Sequence, residues 1–205
     1  LSQSKAATPA RQLSQTLEEI IERRVAFLTA YQNAAYAARY RHLVARVQTR
    51  EAAVMPGQSA LSEAVARNLF KLMAYKDEYE VARLYSDGAF RKQVAATFEA
   101  EGGEGKKLRY EFHLAPPLLA RRDPNTGLPR KMSFGPWMMG AFSALAKLKG
   151  LRGTALDLFG YTQERRTERR LIADYEALLN ELLSKLSPEN HALCIALAAI
   201  PEKIR

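Results

Sequence analysis

Apolar residues recur three or four positions apart over most of this chain, and that spacing limits the folds open to it. Leu17, Ile21, Val25, Leu28, Tyr31, Ala35 and Ala38 form one such series. Leu61, Val65, Leu69 and Leu72 form a second, and Leu171, Tyr175, Leu178, Leu182 and Leu186 a third. At this period the side chains share one face of an α-helix, whereas a strand would need alternation. The pattern predicts a mostly α domain of about six helices with a minor β element.

The expected helix starts are chemical. Thr16 and Glu19 make a capping box, so a first helix should run from there to about Gln48, short of Pro56-Gly57. A second is expected from Ser59 to about Tyr85, and a short one from Asp87 through Phe98. Pro136 suits the first turn of a fourth, closing at Gly150. Thr162 should cap the long helix carrying the third series, and Ser187-Pro188-Glu189 should open a last one ending at Pro201.

Lys106 to Leu114 departs from the pattern. Tyr110, Phe112 and Leu114 alternate with Arg109, Glu111 and His113, as on a half-buried strand. A lone strand leaves its backbone groups unpaired, and the sequence does not show what pairs with it. Leu118–Gly135 and Gly150–Gly160 read as irregular connections. The small, polar residues 1–14 read as a linker remnant, and 15–205 as a single helical domain of a longer chain. Ala192–Ile200, the longest uncharged apolar run, is too short for a bilayer, so a cytoplasmic protein without membrane contact is expected. Cys194 is the one cysteine, which leaves no disulfide framework and no cysteine-ligated cluster within the chain. It is expected buried on a helix.

The charge of +9 is local. Ten basic residues lie between Lys106 and Arg152, opposed only by Glu111 and Asp123. Within that segment Arg121, Arg122, Arg130 and Lys131 bracket the turn-forming Asp123-Pro-Asn-Thr-Gly127, and they are the candidate anion- or partner-binding residues. Cations brought together by a tight turn repel unless an anion sits among them. That anion is either intrachain, with Asp77, Glu78 and Glu80 the nearest acidic group, or supplied from outside. Nucleic acid is not expected, because no base-reading or stacking residues accompany the charge.

Several chemistries lack their residues. There is no phosphate-binding glycine loop and no nucleophile elbow. His42, His113 and His191 are about 70 or more residues apart, outside any metal-ligand spacing, so no metal site is expected. Asp77 and Glu80, three apart on a helix, read as solvated or paired with a cation such as Arg83. Arg165-Arg166 and Arg169-Arg170 read as a solvated basic stripe.

Longer runs carry a resemblance: Arg23–Tyr40, Ala66–Tyr85, Phe112-His-Leu-Ala-Pro-Pro-Leu-Leu119, Arg121–Lys131, Phe134-Gly-Pro-Trp-Met138, Leu148-Lys-Gly-Leu-Arg-Gly-Thr154 and Leu158–Arg166. Together they resemble the C-terminal domain, of unassigned function, of the fused bacterial indolepyruvate:ferredoxin oxidoreductases. The resemblance implies a parent enzyme that oxidatively decarboxylates aryl 2-oxoacids to acyl-coenzyme A. Its cofactors would be thiamine diphosphate, Mg2+, iron–sulfur clusters and coenzyme A. It also implies that the catalytic domains precede this one and that this one is non-catalytic, with no cofactor of its own. The implied partners are those N-terminal domains; ferredoxin and a second copy are further candidates. Two roles stay open: a structural or interaction module, or an anion-receiving module for coenzyme A phosphates or an acidic ferredoxin through 106–152.

Overall fold

The computed structural model describes residues 16–99, 111–114 and 130–204. As expected, the fold is mostly helical, with eight α-helices and one small antiparallel sheet among these residues. The chain divides into two compact units, one of Leu1–Ala30, Ala34–Met73 and Tyr175–Arg205, the other of Tyr31–Asn33 and Ala74–Asp174.

The first unit contains α1 (Leu17–Tyr31) as far as Ala30, α2 (Ala34–Val54), α3 (Ala60–Met73), the C-terminal part of α7 (Gln163–Lys185) and α8 (His191–Ala198). The Thr16–Glu19 capping box is present, each side chain bonding the other's backbone N–H at 3.2 Å. The expected first helix is broken at Gln32–Asn33, giving α1 and α2. That break shifts the helical phase. Ala35 and Ala38, expected on the inward face, are exposed, and Ala37, Tyr40, Val44 and Val47 are buried instead. In α3 the expected stripe Leu61, Val65, Leu69 and Leu72 is buried as read. Of the face expected on α7, Tyr175, Leu182 and, just past the helix, Leu186 are buried, while Leu171 and Leu178 are only half-buried and their neighbours Ile172 and Leu179 are buried in their place. Ser187 and Asn190 form a capping box that leads into α8, where Cys194 is buried and free, its thiol pushed up by burial. Phenol groups answer backbone carbonyls inside this unit: Tyr40 donates to Ala66 at 3.0 Å and Tyr175 to Ala198 at 2.8 Å.

The second unit contains α4 (Glu78–Ser86), α5 (Ala89–Glu99), β1 (Phe112–Leu114), β2 (Met132–Phe134), α6 (Met138–Lys147) and the start of α7. The expected helix Ser59–Tyr85 is interrupted between Met73 and Glu78, because Asp77 caps a new helix there by accepting from the Glu80 N–H at 2.9 Å. The strand partner missing from the sequence reading is β2, which lies in the stretch expected to be loop. It pairs antiparallel with β1 in the register Phe112↔Phe134, His113↔Ser133, Leu114↔Met132. The residues 106–110 and 115–129 lie outside the described residues, as does 1–14. Ala82, Phe112, Met138, Met139 and Phe142 form the unit's apolar core, with Tyr85 stacked on Phe142 at 5.1 Å. On the other face His113 Nδ1 and Ser133 Oγ lie 3.0 Å apart, both exposed. Among the described residues no helix is long and apolar enough to cross a membrane.

Candidate functional site

The densest polar chemistry in the second unit surrounds the Gly150–Gly160 connection. Asp77 not only caps α4; its carboxylate also receives Arg152, Nε at 2.5 Å and Nη2 at 2.7 Å. Both side chains are almost fully buried, 2% and 3% exposed. The Arg152 guanidinium lies 3.7 Å from the centre of the Tyr31 ring, and its Nη1 donates to the Tyr31 carbonyl at 2.7 Å. An unbroken helix would use that carbonyl for residue 35, so the network helps explain why α1 stops where it does. Burial works against the Arg152 charge, yet the Asp77 hydrogen bond and the neighbouring Tyr31 hold its pKa above the ordinary value.

Asp157 is the second anchor. Its buried carboxylate accepts from the backbone N–H of Gly153 at 2.7 Å, Phe159 at 3.3 Å and Gly160 at 3.0 Å, and from the Tyr79 hydroxyl at 3.3 Å. Burial and Asp157 push the Tyr79 phenol up to about 12, so it remains a donor. Arg169 closes the loop from α7, with Nη1 3.6 Å from Asp157 and Nη2 donating to the Gly160 carbonyl at 2.5 Å. Two glycines are required. Gly153 has φ +75°, and a Cβ on Gly160 would overlap the Asp157 carboxylate. Beside this loop Arg165 pairs with Glu168 at 2.6 Å and Glu78 at 3.4 Å.

The expected basic stripe is therefore split. Arg166 and Arg170 are exposed, but Arg165 and Arg169 turn inward onto carboxylates and the loop. Of the two readings of Asp77 and Glu80, solvated or paired with a cation, the second holds: Glu80 holds Arg83 as expected, through two bonds of 2.8 and 2.7 Å, and Asp77 serves Arg152. Of the candidate anion-binding residues, Arg121 and Arg122 lie outside the described residues. Arg130 and Lys131 are exposed just before β2 and make no ion pair among the described residues. Asp77, Glu78 and Glu80, expected as their intrachain acidic group, bond Arg152, Arg165 and Arg83. Arg152, counted with the basic segment, is withdrawn from any external anion by its burial.

The first unit holds a cluster that the sequence reading missed. Buried Glu51 accepts from the Leu61 and Ser62 N–H groups at 2.8 Å each and from Ser62 Oγ at 2.5 Å, and it meets His191 Nε2 at 2.8 Å. Burial would raise its pKa, but these hydrogen bonds outweigh burial and bring it below the ordinary value. The serine and the histidine both bond the carboxylate rather than each other, so the group fastens the start of α3 and does not activate a nucleophile. A signal was present: Glu51 falls four residues after Val47, on the buried stripe of α2, where only a partnered charge belongs. Among the described residues no three His, Cys, Asp or Glu side chains gather as a metal site.

Fold and site together define a mostly helical chain whose buried charges fasten a loop and helix ends. Residues 17–205 match a protein family of unknown function, DUF6537, and the chain belongs to that family. No curated protein and no solved structure matches it.

Proposed function

We infer that the chain is a non-catalytic structural and interaction domain of a cytoplasmic indolepyruvate:ferredoxin oxidoreductase that depends on thiamine diphosphate, Mg2+ and iron–sulfur clusters. The observation that carries this reading is where the resembling runs fall. Asp77, Tyr79, Arg152, Gly153, Gly160 and Arg165 belong to those runs, and each has a structural task in the buried network. The resemblance is then one of architecture, and the chemistry belongs to other domains of the parent chain. The test is coenzyme A-dependent reduction of ferredoxin by indolepyruvate, run with the complete polypeptide that carries this chain and with the chain alone. Turnover is expected from the former only. Turnover by the isolated chain, or none by the complete polypeptide, would refute the reading.

A second reading, an anion-receiving module for coenzyme A phosphates or an acidic ferredoxin, draws on exposed Arg130 and Lys131. Neutralising Arg121, Arg122, Arg130 and Lys131 in the complete polypeptide should then raise the Michaelis constant for one of the two and weaken its salt dependence. Unchanged kinetics would remove this reading.

A further inference from the structure

We propose that Ser133, at the centre of β2, is a phosphoacceptor for an ATP-dependent protein serine kinase that reads basic residues on the N-terminal side of its target. Arg130-Lys-Met-Ser133 places cations three and two residues before a hydroxyl, and no other serine or threonine of the chain has both. A kinase groove with carboxylates at those two positions is the complementary surface.

Single arginines precede other hydroxyls, and the structure separates those from Ser133. Among the described residues, arginine also stands three positions before Thr49 and Ser86; it does so before Ser14 outside them. Thr49 lies inside α2, where its hydroxyl donates to the Ala45 carbonyl one turn back at 3.0 Å, and Arg46 is bonded to Asn180. Ser86 ends α4 half-buried, its hydroxyl directed to the Arg83 carbonyl at 3.3 Å, while Arg83 itself is held by Glu80. A helical segment cannot lie along an extended groove with its hydroxyl in line with the γ-phosphate. At β2 the conditions are reversed. Arg130, Lys131, Met132 and Ser133 are all exposed, and the backbone is extended from Met132. The Ser133 hydroxyl lies 3.0 Å from the exposed His113 ring, on the solvent side of the sheet. A hairpin with three-residue strands is marginal by itself, so β2 can part from β1 over the few residues that a kinase takes.

In the transfer, Ser133 Oγ bonds the γ-phosphorus of ATP, and the bond from that phosphorus to the oxygen bridging it to the β-phosphate breaks. ADP leaves, and the hydroxyl proton passes to the kinase's catalytic aspartate. The new phosphate brings a charge of about −1.5 to −2 at neutral pH. It arrives beside Arg130 and Lys131, which make no ion pair among the described residues. Their two charges are then offset within the same strand end, and charge-assisted hydrogen bonds between phosphate and cations become available. Phosphorylation would thereby withdraw these two cations from any outside anion.

The test incubates the folded chain with ATP, Mg2+ and the catalytic subunit of cAMP-dependent protein kinase, an enzyme directed by basic residues, and maps the product by tandem mass spectrometry. A single phosphoryl group is expected, on Ser133. Ser133→Ala, whose melt should match the parent because the side chain is exposed, should accept none. Arg130→Gln/Lys131→Gln should lower kcat/KM roughly tenfold or more, chiefly through KM. Four results would overturn the proposal: no transfer, transfer to Ser14, Thr49 or Ser86 instead, equal rates for the double variant, or transfer to a synthetic peptide of residues 128–138 but not to the folded chain. The complete polypeptide, isolated from its own cells with phosphatase inhibitors, should carry phosphoserine at 133. An unmodified Ser133 peptide in every growth phase would also overturn the assignment. Neither measurement depends on whether that polypeptide oxidises indolepyruvate.

Discussion

Replacing Arg152 by methionine keeps much of the side chain's volume and removes its charge. Asp77 would be left with the Glu80 N–H as its remaining bond, inside a site where it is 3% exposed, and the Tyr31 carbonyl would lose its Arg152 donor. Removing one partner of a buried ion pair typically costs about 3–5 kcal/mol, far more than the ~1 kcal/mol ceiling for exposed pairs. The companion change Asp77→Asn retains an acceptor for the α4 cap, a contribution of about 1 kcal/mol, while removing the carboxylate charge. The double variant should therefore be more stable than Arg152→Met alone, by about 1–3 kcal/mol. Urea unfolding followed by circular dichroism gives these differences, and hydrogen exchange over 150–162 should rise in Arg152→Met as the loop loses an anchor. A cost for Arg152→Met below about 1 kcal/mol, or strict additivity in the double variant, would refute a buried, coupled pair.

Arg169→Glu should cost about 1–3 kcal/mol in the same urea assay, because it forfeits the Gly160 carbonyl and places a carboxylate against Asp157. Arg170→Glu, on the exposed side of the same turn, should change stability by less than about 0.5 kcal/mol. Gly160→Ala should destabilise by about 1–3 kcal/mol, since the added methyl meets Asp157 and Arg169, and a neutral effect would show that the loop gives way. Glu51 has its folded pKa depressed, so its stabilisation is present above the ordinary glutamate range and is lost as pH falls through the folded value. A melting series from neutral to acid pH should show this loss, and Glu51→Gln should flatten it.

Capping was legible because its hydrogen bonds close within three residues. Thr16 with Glu19, Thr162 with the Arg165 N–H, and Ser187 with Asn190 all stand where the residue types placed them. The α3 stripe was equally readable, since one uninterrupted period fixes one face. The two helix breaks were not. Gln32–Asn33 carries no proline or glycine, and what ends α1 there includes an arginine 121 residues further on, bonded to the Tyr31 carbonyl. The same distance hid the site: Asp77 and Arg152 are 75 residues apart, and Glu51 and His191 are 140 apart. Arg165 and Arg169 looked solvated because four-residue spacing gives one face without saying what packs on it. The strand at Phe112–Leu114 was readable from its alternation, but its partner escaped notice because β2 is only three residues long.

The most direct test of a non-catalytic domain is cofactor uptake by the chain itself. Thiamine diphosphate with Mg2+ is titrated calorimetrically, and iron is assayed after anaerobic iron–sulfur reconstitution. The expected result is no saturable heat, no stoichiometric iron and a colourless, helical protein. Stoichiometric iron, or saturable thiamine diphosphate binding, would place cofactor ligands in this chain and contradict the reading.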